Sequence, residues 1–77
     1  MFFNVSKQVD ASGLICPEPI MLLHAAVRDA QTGDIIELKA TDPSSRRDVT
    51  SFCDFLGHQL EGLTEVDDVL VFYIKKG

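Results

Sequence analysis

Much is missing from these 77 residues, and each gap excludes something. There are two cysteines, Cys16 and Cys53, too few and too far apart for a disulfide framework or for zinc-ligand spacing. The amino-terminal stretch MFFNVSKQV holds no apolar run long enough for a signal peptide or a membrane span. Internal repeats, linkers and low-complexity tracts are lacking, as are a nucleophile–base triad, a glycine-rich cofactor loop and a metal-ligand cluster. A net charge of −5 opposes direct nucleic-acid binding, because phosphates would repel the chain. The expectation is a single domain over residues 1–77, in the reducing cytoplasm, with no membrane partner, no metal and no cofactor. Apolar residues make up 45%, enough for a core without a staple.

Prolines are also scarce, and their placement is informative. All three (Pro17, Pro19 and Pro43) fall where a helix should begin. Val5 to Asp10 reads as a strand, Ala11-Ser12-Gly13 as a turn, and Pro17 to Ala30 as a helix stopping at Thr32-Gly33. Asp34 to Thr41 alternates apolar Ile36, Leu38 and Ala40 with Glu37, Lys39 and Thr41, the period of a half-buried strand. Asp42 suits the cap and Pro43 the first position of a second helix ending at Gly57. His58 to Glu65 and Val69 to Lys75 then form a hairpin around Asp67-Asp68.

The order βαβαββ predicts an α/β two-layer sandwich: a four-stranded mixed sheet with two helices on one face. In parallel βα units each helix begins at the carboxyl edge of the strands, where ligands usually bind. Cys16 and the Asp42–Arg46 segment should therefore share one edge despite their separation in sequence.

With Cys16 as cap, Pro17, Glu18 and Pro19 form the first turn. The prolines fix φ and withhold their N–H groups, leaving a rigid helix mouth with few donors aimed at sulfur. A positive helix end favours thiolate, whereas the nearby negative Glu18 opposes it. A partly ionised thiol fit for exchange is expected, and Arg46 from the second mouth is a candidate cation to assist it. The plainer alternative is a small apolar residue packed under a turn. Cys53 shares an apolar stripe with Val49, Phe52 and Leu56 and reads as a core thiol. Met21 and Arg28 fall opposite the apolar stripe of helix one, which centres on Pro19, Leu23, Val27 and Ala30. Phe55 likewise faces away from the stripe of helix two. Met21 and Phe55 are candidate partner contacts, since such side chains are favoured at docking surfaces. His24 and His58 read as surface histidines rather than as a base or ligands.

Asp10-Ala11-Ser12-Gly13-Leu14, then Cys16-Pro17-Glu18-Pro19, Asp42-Pro43 and Phe52-Cys53-Asp54-Phe55 with His58, together resemble the TusA family of small bacterial sulfur carriers. The likeness extends from about residue 8 to residue 76. It implies that Cys16 is the catalytic cysteine, accepting sulfane sulfur as a persulfide from a cysteine desulfurase. Pro17, Glu18 and Pro19 would frame it, and Met21, Arg28, Asp42, Arg46 and Phe55 would meet partners. The sulfur would pass to a downstream relay protein, leading to 2-thiolation of the wobble uridine of certain tRNAs; relatives serve sulfur oxidation or cofactor synthesis. Ile15 stands where many members carry Arg or Lys, which removes a cation beside the thiol. Two other classes compete with a persulfide carrier: a non-enzymatic regulatory interaction module, and a thiol redox protein pairing Cys16 with Cys53.

Overall fold

The computed structural model describes residues 4–77. The expectation about the extreme amino terminus, residues 1–3, lies outside them. Six elements follow the expected order: β1 (Val5–Ala11), α1 (Glu18–Asp29), β2 (Ile35–Ala40), α2 (Ser45–Leu56), β3 (Gln59–Val66) and β4 (Val69–Lys75). The strands lie side by side as β1-β2-β4-β3. β1 pairs parallel with β2, and β4 pairs antiparallel with both of its neighbours. The hairpin explains the mixture. Its second strand folds back into the gap left between β2 and β3, so β1, β2 and β3 share a direction without all being adjacent.

The turn that reverses the chain uses Asp67 and Asp68, at φ 51° and 66°. Two successive left-handed residues twist in the sense of the flanking strands, which is why short hairpins favour them, and aspartate tolerates that region better than most residues. At the end of α2, Gly57 takes φ 77° and the His58 N–H bonds the Cys53 carbonyl at 2.9 Å. This closes the helix end as a left-handed glycine cap does.

Alternation in the strands decides which face is covered. Ile36 lies opposite Ile74, Leu38 opposite Phe72 and Ala40 opposite Leu70, and all six are buried under the helices. Glu37 opposite Tyr73 and Lys39 opposite Val71 form the uncovered face. From above, α1 contributes Leu23, Ala26 and Val27, and α2 contributes Val49, Phe52 and Cys53. Leu23 is fully buried. Truncating it to alanine would cost about 2–5 kcal/mol, enough to threaten a domain of this size. No buried side-chain polar atom among the described residues lacks a hydrogen-bond partner. This dry layer fixes both helices against the sheet, and with them the edge at which each begins.

Candidate functional site

The two helix mouths do meet at one edge. The loop after β1 turns at Gly13, whose φ of 82° favours a residue without Cβ. Its N–H donates to the Thr41 Oγ1 at 2.9 Å, just beyond the end of β2. Further along the loop, the Cys16 N–H donates to Asp42 Oδ2 at 2.8 Å. The other oxygen of that carboxylate, Oδ1, accepts the Ser44 N–H at 3.0 Å. Asp42 thus spans both loops with one side chain. The two N–H donors, Cys16 first and Ser44 second, hold its carboxyl below the ordinary aspartate value by stabilising the charged form.

This geometry corrects two expectations. Asp42 does not cap α2: that helix begins at Ser45 after Ser44, and no side chain caps it. Nor is Cys16 the cap of α1. The peptide between Cys16 and Pro17 is cis, Pro17 takes the cap position with no side-chain bond, and Glu18 opens the helix. The sulfur sits one residue farther out than the proline spacing suggests. Glu18 and Pro19 therefore lie in the first turn, Glu18 exposed and Pro19 buried against the core.

The electrostatics also run opposite to expectation. The Cys16 thiol is pushed up from its ordinary value, first because the Asp48 carboxylate faces it as a hydrogen-bond acceptor. Desolvation comes next, followed by the charges of Asp48 and Asp42, with Arg47 working in the other direction. The helix dipole acts mainly at the first turn and is screened at an exposed site, whereas two carboxylates act directly on this sulfur. Both carboxylates favour the thiol over the thiolate. Arg46 does not assist it. Its guanidinium donates to Glu65 Oε1 at 2.8 Å on β3 and lines a separate hollow with Thr41, Pro43, Asp68 and Leu70. The cation nearest the thiol in effect is Arg47, whose side chain is 80% exposed.

Cys16 opens onto an apolar cleft of about 500 Å³ between the helices, lined by Pro17, Ile20, His24, Asp48, Ser51, Phe52, Phe55 and Leu56. Phe55 is 90% exposed at its rim. On the other side of Pro17, Glu18, Met21 and Leu22 line a second shallow hollow. Ile15, Met21, Leu22, Phe55 and Leu56 are large exposed apolar side chains, as is Val66 at the hairpin turn. Arg28 lies in the last turn of α1, at the opposite end from the sulfur.

The remaining candidates have structural work. His24 meets the Phe52 ring edge-on at 4.6 Å between centroids, and His58 stacks on it at 5.6 Å. Burial first, then Lys76 and His24, depress the His58 pKa, and its Nδ1 accepts the Gly77 N–H at 3.0 Å. Among the described residues no cluster of His, Cys, Asp and Glu is arranged to hold a metal ion. The expected reading missed Asp48, Arg47 and Leu56. The order of elements signalled only that the start of α2 lies at the same edge as Cys16, not which of its side chains face the sulfur.

Comparison with known proteins bears on a thiol framed in this way. The family profile described as "Sulfurtransferase TusA" matches residues 7–76. This chain belongs to the TusA family. It is 46% identical over 73 residues to a "Sulfur carrier protein TusA" of Pseudomonas syringae pv. syringae, covering 95% of this chain and 87% of the relative. A protein of the same description from Pseudomonas aeruginosa is 46% identical over 76 residues, covering 99% of this chain and 96% of the relative. The crystal structure of a SirA-like protein from Desulfitobacterium hafniense shares the fold, with a TM-score of 0.81 at 25% identity over 92% of this chain and 97% of that one.

Proposed function

We propose that this chain is a cytoplasmic sulfur carrier that takes persulfide sulfur onto Cys16 and hands it to the next protein of a relay. The observation that carries the reading is the exposed Cys16 at the mouth of an apolar cleft, with its backbone tied to Asp42. In loading, Cys16 sulfur attacks the outer sulfur of a donor persulfide on a cysteine desulfurase. The donor S–S bond breaks, its electron pair leaves with the donor thiolate, and a new S–S bond forms on Cys16. The Cys16 proton ends on the departing thiolate, so the exchange is neutral in electrons and protons. Unloading repeats these steps with roles reversed. The relay proposed for this chain ends in 2-thiolation of the tRNA wobble uridine, with sulfur oxidation or cofactor synthesis as alternative destinations.

Nothing in this exchange needs a cofactor or a second cysteine in the carrier. The carrier needs a reachable sulfur and a surface that a desulfurase pocket can accept. Pro17, Glu18 and Pro19 frame the sulfur in this proposal. Met21 and Phe55 supply apolar contact, Asp42 holds the loop, and Arg28 and Arg46 belong to a wider docking face. Incubation with a cysteine desulfurase and cysteine should add one reducible sulfur atom to the intact mass, and Cys16→Ser should abolish the gain. Sulfur on the serine variant overturns the assignment. A regulatory interaction module is favoured by the exposure of Phe55 alone. That reading requires Cys16→Ser to complement a deletion strain fully and Phe55→Ala to fail.

A further inference from the structure

Among the residues that line the cleft, Asp48 is the one carboxylate. Asp48 stands in the first turn of α2, its side chain 22% exposed, on the wall that looks across at Cys16. Its ion-pair partner is Arg47, with Nε 3.7 Å from Oδ1. That pair is long and the arginine is largely in solvent, so it neutralises the carboxylate weakly. The other groups facing the sulfur are Asp42, from the adjoining loop, and His24, across the cleft on α1. Two acids outweigh one exposed cation at this edge.

We propose that Asp48 is a positioning residue for sulfur exchange: its carboxylate accepts the Cys16 S–H, orients the sulfur toward the cleft and keeps the empty carrier in its thiol form between encounters. The benefit is restraint. Thiolate, not thiol, is the reacting species toward oxidants and alkylating agents. An exposed cysteine held as thiol survives in the bulk and reacts where a partner's pocket draws the proton away. The role in exchange rests on the carrier reading, but the hold on the proton does not.

The test therefore uses the full chain with iodoacetamide and no donor. The rate of Cys16 alkylation is followed against pH for the wild type, Asp48→Asn and Arg47→Gln, each checked for folding by its thermal melt. Asp48→Asn should lower the midpoint of the profile and raise the rate at pH 7 by about threefold to tenfold, because more of the thiol is then ionised. Arg47→Gln, at an exposed position outside the core, should move the midpoint upward and slow the reaction. A midpoint that stays fixed or rises on Asp48→Asn overturns the proposal, as does one that stays fixed or falls on Arg47→Gln. Desulfurase loading is read separately by intact mass, so failure of the carrier reading would leave the alkylation result standing, and the reverse.

Discussion

The molecule carries the same side chain in two settings. Cys16 lies on an exposed loop, while Cys53 is 2% exposed between α2 and the sheet. Both thiols sit above their ordinary pKa, but for different reasons. Burial pushes Cys53 up to about 11, with Asp54 adding to it. Carboxylates push Cys16, with the Asp48 hydrogen bond foremost. Acidity therefore does not separate the cysteine proposed to carry sulfur from the buried one; access does. A core thiol is silent because nothing reaches it. Cys16 is quiet only until a partner changes its surroundings, which suits a group that must be loaded and unloaded rather than turn over substrate by itself.

The comparison breaks most decisively if sulfur goes to the wrong residue. Cys53→Ala should load to the wild-type extent in the desulfurase mass assay, whereas Cys16→Ser should not load at all. Equal loss in both variants would mean that the thiols act as a pair. Next in size is labelling of the native protein. Iodoacetamide should modify Cys16 faster than Cys53 by on the order of a hundredfold or more, because Cys53 reacts only when the core opens. Peptide mapping after brief labelling reads the ratio, and comparable rates at the two sites would erase the distinction drawn here.

Stability supplies a third, smaller contrast. Cys53→Ser places a hydroxyl among Val49, Phe52 and the buried strands, at a cost of about 1–3 kcal/mol if the hydroxyl finds no partner. For a domain this small each kcal/mol lowers Tm by about 4–8 °C. The substitution Cys16→Ser should leave Tm nearly unchanged. Alkaline pH separates the two as well. The unfolded Cys53 thiol ionises near pH 9 while the folded one holds its proton to about 11. The unfolded chain then binds fewer protons, so stability falls as pH rises through that window, by up to about 1.4 kcal/mol per pH unit. Urea melts of the wild type minus Cys53→Ala isolate this loss from other groups, and a difference independent of pH would contradict the burial argument.

Most of the frame was legible from the sequence for a simple reason. Burial on one face of a strand or helix leaves a period, and Ile36-Leu38-Ala40 or Val49-Phe52-Cys53 display it without any knowledge of partners. Turn chemistry at Gly57 and Asp67-Asp68 was readable in the same local way. Family resemblance rested on the Cys-Pro-Glu-Pro loop together with Asp10–Leu14, Asp42-Pro43 and Phe52–Phe55 with His58, and agreed with a fold already read from the pattern. What escaped was the electrostatics of the edge. Arg46 and Arg47 are adjacent in sequence, but a turn of helix sends one to Glu65 on β3 and leaves the other near the sulfur. Asp42 looked like a helix cap because aspartate before proline usually is one, yet its Oδ2 bonds a backbone 26 residues earlier. Such contacts depend on how two loops approach in space, and no local pattern records that.

Asp42 offers the finest test of the difference between the two cysteines, since it reaches one of them and not the other. The backbone around Cys53 is held by helix hydrogen bonds between uncharged groups, whereas the backbone of Cys16 is held by a carboxylate. The folded pKa of Asp42 is lowered, so its contribution to stability is complete above the ordinary aspartate value and is lost as pH falls through the lower folded value. Asp42→Asn keeps an acceptor oxygen but no charge. Its stability deficit relative to the wild type should be full above the ordinary aspartate value and shrink as pH falls through the lower folded value, as the wild-type carboxylate takes up its proton. Asp10, lowered by its bonds to Ser12, is common to both chains and cancels in the difference. At neutral pH the same variant should speed hydrogen exchange at the Cys16 amide and leave the α2 amides near Cys53 as protected as before. A deficit constant across the acid range, or equal acceleration at both sites, would mean that the carboxylate does not set the loop, and that the working cysteine is held by the same packing as the buried one.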